Sequence, residues 1–89
     1  MNDVWKVLLS PDVQHFLAKQ DRHISDRLRK GLEKLKTGDP FHFLEHYEGD
    51  DYYKFRIGTY RTLIDVDFAN KLLKIQVLDH RGVIYKRKH

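Results

Sequence analysis

The sequence predicts one α+β domain over residues 1–89, with the order β-α-α-β-β-β and an antiparallel sheet that carries an N-terminal αα-hairpin on one face. Three observations predict it. Residues 11–37 hold two amphipathic stretches of helical period, with apolar positions three and four apart. Residues 52–79 hold three stretches that alternate with period two, as half-buried strands do. A chain of 89 residues has room for one small core and not for two.

In chain order, Val4-Trp5-Lys6-Val7-Leu8-Leu9 is a short β-rich run and the first strand. Ser10-Pro11-Asp12 then supplies a helix start: Ser as N-cap, Pro at the first helical position, and a carboxylate at the positive end of the helix dipole. Val13, Phe16 and Leu17 form the apolar stripe of this first helix. Asp21 caps a second helix, whose core face is Ile24, Leu28, Leu32 and Leu35. Gly31 inside that helix costs about 1 kcal/mol relative to Ala unless a neighbour packs closely there. Gly38-Asp39-Pro40 ends the helical region, with Gly as a left-handed cap and Pro unable to continue. Residues 41–51 connect the two halves, with Phe41, Phe43, Leu44 and Tyr47 tucked under the domain and Glu48-Gly49-Asp50-Asp51 turning into the next strand.

The stretch from Tyr52 to Arg61 reads as strand, tight turn and strand. Tyr53, Phe55 and Ile57 alternate with Tyr52, Lys54 and Arg56. Gly58-Thr59 suits a two-residue hairpin turn, because Gly accepts the positive φ needed at the first central position. That register sets Arg56 opposite Arg61 and puts Lys54, Arg56 and Arg61 on one face. Like charges directly opposed on a sheet are destabilising, so the arrangement points to an anion held there. The strand continues to Asp67, Phe68-Ala69-Asn70-Lys71 makes a loop, and Leu72 to Asp79 is the last strand. Simple alternation pairs Val66 with Leu73, Ile64 with Ile75 and Thr62 with Val77, with Asp65 opposite Lys74 and Leu78 beside Arg61. The helices cover the apolar face so formed.

Composition narrows the class. No cysteine is present, so neither disulfide nor thiolate metal site supplements the core. The N-terminal residues show no secretory pattern, and no apolar run reaches membrane-spanning length, so a cytoplasmic protein with no membrane partner is expected. The net charge of +4 is unevenly spread. Residues 19–36 carry seven bases against three acids, residues 39–51 five acids and no Lys or Arg, and residues 80–89 four Lys or Arg and no acid. Segregation of this kind favours a polyanion or an acidic protein segment, although the bases of the second helix also read as ordinary solvated charges. The histidines show no metal-ligand spacing, and the reading includes no metal and no cofactor.

The run Tyr53-Lys54-Phe55-Arg56-Ile57-Gly58-Thr59-Tyr60-Arg61, followed by Val77-Leu78-Asp79-His80-Arg81-Gly82-Val83-Ile84-Tyr85-Lys86, resembles the RelE/ParE superfamily of toxins, and its RelE branch above all. The shared features are a basic strand, a Gly-x-Tyr-Arg hairpin, His-Arg and a late Tyr. The element order and short length agree over the whole chain. The resemblance implies a RelE-like fold and a toxin of a type II toxin–antitoxin system. It implies a ribosome-dependent endoribonuclease that cuts mRNA in the decoding site, with a RelB-like antitoxin, the ribosome and mRNA as partners. In that chemistry the RNA 2′-hydroxyl attacks the adjacent phosphate. Carried over by position, Lys54 and Arg56 match the basic strand positions and Arg61 the phosphate clamp. Arg81 matches the arginine of the leaving group and Tyr85 the tyrosine that positions the nucleotide. Tyr52, Lys86 and Arg87 are further RNA-binding candidates.

One position departs from the pattern. The best-known bacterial form has lysine where this chain has Arg56, and a general-base role goes with it. A guanidinium stabilises charge but does not accept a proton near neutrality. The base then falls to Lys54, His80 or a ribosomal group. Histidine titrates in the right range, although a lone histidine at a strand end more often has a structural role. Two alternatives stay open: a ParE-type inhibitor of DNA gyrase, and a non-catalytic member that binds RNA or an antitoxin only.

Overall fold

A computed structural model describes residues 4–36, 39–46 and 51–80. Arg81, Tyr85, Lys86 and Arg87, the proposed cap at Gly38, Tyr47 and most of the turn at 48–51 lie outside the described residues. The elements are β1 (Lys6–Leu9), α1 (Pro11–Lys19), α2 (Arg22–Glu33), β2 (Glu45–His46), β3 (Tyr53–Ile57), β4 (Tyr60–Asp67) and β5 (Leu72–His80). Single 3₁₀ turns at Lys34–Lys36 and Pro40–His42 follow α2. No helix among the described residues is long and apolar enough to cross a membrane.

Both helices begin where the capping residues place them. The Ser10 hydroxyl accepts from the Val13 N–H at 3.2 Å. The Asp21 carboxylate accepts from His23 N–H at 2.9 Å and from Ile24 N–H at 3.4 Å, so orphan amides of each first turn are satisfied. Val13 and Leu17 of α1, Leu28 and Leu32 of α2, and Leu35 of the following turn are buried against Phe55, Ile57, Ile64, Leu73, Ile75 and Leu78 of the sheet. Gly31 has the close neighbour that justifies it. A Cβ there would lie 2.9 Å from Cγ1, Cγ2 and Cδ1 of Ile57, so glycine lets α2 settle directly on β3.

The sheet has the order β1-β5-β4-β3-β2. It is mixed and not wholly antiparallel as expected, because β1 runs parallel to β5 at the edge. The reason is the connection. The αα-hairpin carries the chain over one face and returns it as β3 in the direction of β1, the crossover that parallel strands require; β5 then fills the place beside β1. The connecting segment also contributes β2, two residues that pair with Tyr53 and Lys54 of β3.

The β3–β4 register is as the hairpin predicted, Arg56 opposite Arg61 and Ile57 opposite Tyr60. Gly58 has φ +62°, while Thr59 is not in the positive-φ region, the signature of a type II′ turn. The β4–β5 register is as expected only in its first half. Ile64 pairs with Ile75, but Leu63 then pairs with Val77, Thr62 with Leu78, Arg61 with Asp79 and Tyr60 with His80. Gln76 is the extra residue of a β-bulge, and it shifts the rest of β5 by one. Leu78, not Val77, therefore joins the core. The bulge is braced by the β1–α1 junction: Ser10 N–H donates to Ile75 O at 3.0 Å and its hydroxyl to Gln76 O at 2.9 Å.

An aromatic group closes the end of the core. Trp5 meets Phe41 edge-on with centroids 5.3 Å apart, Phe41 stacks on Phe68 at 5.5 Å, and Phe41 meets Tyr53 at 5.6 Å. Phe41 and Leu44 pack against the core as expected, whereas Phe43 is exposed.

Candidate functional site

The face of the sheet opposite the helices gathers the hairpin cations. Strand alternation puts Lys54 and Arg56 of β3 on it, and the II′ turn fixes Arg61 of β4 directly across from Arg56. The bulge then sets Asp79 across from Arg61 on the other side. A row Arg56–Arg61–Asp79 thus crosses three strands, with a carboxylate where sequence alternation alone places Leu78. Arg61 is 8% exposed, unusual for arginine. Two guanidiniums side by side repel, and the acid on the flank offsets part of that repulsion. In the neighbouring row Lys54 lies between Glu45 and Leu63.

Beside this face, a groove of about 740 Å³ runs between α2 and the outer edge of β3. Its lining includes Arg27 and Lys30 from α2, Lys34 from the 3₁₀ turn after it, Lys54 and Arg56 from the strand, and Glu45 and Phe43 from the segment before β3. Five cations face one carboxylate. These three bases are three and four residues apart along α2 and the turn that continues it, and so share one side. That spacing was a legible signal. Its meaning was not, because only the packing of Gly31 on Ile57 brings this side of α2 to the basic strand. Above the turn, a Cβ on Gly58 would lie 3.0 Å from Arg27 Nη2, so the same guanidinium reaches the hairpin.

Of the remaining candidates, His80 and Tyr52 are among the described residues, and His80 lies apart from the row. His80 pairs with Tyr60 and packs on its ring at 4.6 Å, while Tyr60 meets Phe16 of α1. His80 therefore belongs to the helix side of the sheet, away from Arg56 and Arg61. Its backbone N–H donates to Asp79 Oδ1 at 2.8 Å, which orients that carboxylate. Tyr52 is half-buried immediately before β3. Among the described residues no three or more His, Cys, Asp or Glu side chains are grouped so as to hold a metal. Sequence reasoning missed Asp79, Phe43 and the helical bases as members of the site.

Two arginines paired across a hairpin are a donor set suited to a tetrahedral anion. Arg56 and Arg61 present planar, permanently charged forks that match phosphate oxygens. The row consists of two guanidiniums and one carboxylate.

The α+β fold, with an αα-hairpin over a five-stranded mixed sheet and a basic β-hairpin at one side, defines a class. It is the RelE-type toxin fold. The toxin–antitoxin complex RelBE2 of Mycobacterium tuberculosis contains a similar chain, with a TM-score of 0.75 and 22% identity over 88% of this chain and 99% of that one. The RelE–RelB complex of Pyrococcus horikoshii gives a TM-score of 0.68 and 26% identity over 88% of this chain and 96% of its counterpart. The RelB–RelE complex of Methanococcus jannaschii gives 0.68 and 21% over 90% and 96%. The sequence matches no protein-family model and no curated protein.

Proposed function

We propose that this protein is the toxin of a type II toxin–antitoxin pair and acts as a ribosome-dependent endoribonuclease on mRNA. The observation that carries the reading is the Arg56–Arg61 pair, held side by side on one face of a sheet whose fold is that of RelE toxins. The similar structures are toxin–antitoxin complexes, which supports a RelB-like antitoxin as partner; the cytoplasmic location and the mRNA target on the ribosome rest on the sequence alone.

In the proposed reaction the 2′-oxygen of one nucleotide attacks the adjacent phosphorus and forms a new P–O bond. The bond to the 5′-oxygen breaks, and that oxygen leaves with the electron pair and gains a proton. The products are a 2′,3′-cyclic phosphate and a 5′-hydroxyl. Charge builds on the non-bridging oxygens, and Arg56 and Arg61, paired across the hairpin, stabilise it with their guanidinium donors. Asp79, opposite Arg61 on β5, offsets part of the positive charge of the pair. Arg81 and Tyr85 enter through the resemblance alone, Arg81 in stabilising or protonating the leaving group and Tyr85 in positioning the nucleotide. The 2′-hydroxyl proton passes to Lys54 or to a ribosomal group, since Arg56 keeps its protons and His80 is on the other side of the sheet.

Cleavage of message on programmed ribosomes tests the proposal. Arg61→Ala and Arg81→Ala should each lower the cleavage rate by about 10²-fold or more, as removal of a preorganised donor does. Intact message with folded, antitoxin-free protein overturns the nuclease reading; loss of gyrase supercoiling in the same preparation would replace it with the ParE-type one. The guanidinium at Arg56 favours one further reading, a member that binds RNA or antitoxin without cleaving. Ribosome binding with intact message is its signature.

A further inference from the structure

The groove between α2 and β3 has a feature that phosphate chemistry does not use. Phe43 is 43% exposed, at the wall of a groove that is otherwise strongly cationic. An apolar ring so placed gains little from the core. It is nevertheless held. The 3₁₀ turn Pro40–His42 leads directly into it, and Phe43 N–H donates to Pro40 O at 2.9 Å. Its ring meets Phe55 at 6.4 Å and 69°, and His42 at 6.1 Å and 82°. Neither neighbour stacks parallel on it, so the ring is braced and still open to a planar partner.

The backbone around Phe43 leaves space for such a partner. β2 pairs only with Tyr53 and Lys54, so the segment before it runs beside Phe55 and Arg56 outside the ladder. Across the groove stand Arg27 and Lys30 of α2 and Lys34 of the 3₁₀ turn that continues it, three and four residues apart and so about 5–6 Å from one to the next. A flat apolar face next to a line of cations is the combination that single-stranded nucleic acid requires: bases stack, and the backbone follows the positive charge.

We infer that this groove is a single-stranded RNA subsite in which a base stacks on Phe43 while Arg27, Lys30 and Lys34 hold flanking phosphates. Arg56 lines the groove and also pairs with Arg61, so a strand lying here leads to the Arg56–Arg61 pair. An acidic protein segment would use the same cations, but its carboxylates make no use of the ring. The inference rests on RNA being the partner, as proposed above, but not on cleavage or on the ribosome.

The test is fluorescence anisotropy with labelled octa-adenylate and, in parallel, an abasic sugar–phosphate octamer, on the full chain without antitoxin or ribosomes. Phe43→Ala should weaken octa-adenylate binding by about fivefold or more, the lower end of one stacked base. It should leave the abasic octamer unaffected. Phe43→Trp should retain affinity and show tryptophan quenching on octa-adenylate, over a constant background from Trp5, which is 7% exposed. Lys30→Ala with Lys34→Ala should flatten the plot of log K against log salt by about 1.4, two phosphates at about 0.7 each. Wild-type protein that fails to bind octa-adenylate overturns the inference. So does Phe43→Ala with unchanged octa-adenylate affinity, or with equal losses on both octamers. Polyglutamate that binds more tightly than octa-adenylate and depends on Phe43 also overturns it, and assigns the groove to an acidic protein. Stacking can hold while message on ribosomes stays intact, and message can be cut while Phe43 proves inert, so the two proposals fail separately.

Discussion

Replacing Gly31 with alanine asks whether the α2–β3 contact is as tight as the geometry states. At an ordinary helix position the change gains up to about 1 kcal/mol. Here the new Cβ would stand 2.9 Å from three carbons of Ile57. Because both γ-carbons of this β-branched side chain are at that distance, no rotamer of Ile57 clears the clash by itself. Relief requires α2 and β3 to separate. Overpacking of this sort costs about 1–3 kcal/mol, and a contact with three atoms belongs at the upper end. The difference is a net loss of about 2 kcal/mol, which for a domain of this size lowers Tm by roughly 8–16 °C. Thermal and urea unfolding followed by circular dichroism measures it. Ile57→Ala costs about 2–5 kcal/mol alone, and combined with Gly31→Ala it should cost at least about 1 kcal/mol less than the sum, because the new methyl enters the vacated space. The same separation widens the groove between α2 and β3, so Gly31→Ala should also weaken RNA binding. A Gly31→Ala protein as stable as the parent, or additive energies in the double variant, would refute this account of the contact.

Ser10→Ala removes both a helix cap and the donor to the bulge carbonyl of Gln76, and should cost about 1–2 kcal/mol, more than a cap that serves its helix alone; denaturant melts of Ser10→Ala and Ser10→Gly check it. Asp79→Asn leaves buried Arg61 beside Arg56 without the carboxylate opposite, and should cost about 1–3 kcal/mol, with part of the loss recovered in Arg56→Gln/Asp79→Asn. Asp67 in the β4–β5 turn accepts from the Asn70 side chain at 2.9 Å and from its backbone N–H at 3.1 Å, and these bonds hold its carboxyl below the ordinary value of 3.8. A depressed folded pKa contributes stability that is present above the ordinary value and lost as pH falls through the folded one. Asn70→Ala should move the Asp67 titration upward, towards 3.8, in an NMR carboxyl titration.

Much of this molecule is written locally. Ser10-Pro11 and Asp21 begin two helices because a short side chain can satisfy the free amides of a first turn. Gly58 closes the hairpin because only its backbone enters positive φ without cost, and period two then places Arg56 against Arg61. These features depend on neighbours in sequence, and reading them required nothing else. Even the bulge left a trace, since the core spacing in β5 changes from two residues (Leu73 to Ile75) to three (Ile75 to Leu78).

The site is a different matter. That Asp79 and not Leu78 faces Arg61 follows from one unpaired residue, Gln76, fixed by a serine 66 positions earlier in the chain. That β1 runs parallel to β5 follows from where the αα-hairpin returns the chain. The bases of α2 become part of a groove only because Gly31 admits Ile57, and Phe43 becomes its aromatic wall only because β2 stops after two residues. By itself the sequence determined the elements, the capped ends and the cation pair, because turns, caps and alternation act over a few residues. Tertiary structure decided which acid backs the pair and which cations join it, because packing between distant segments sets those distances.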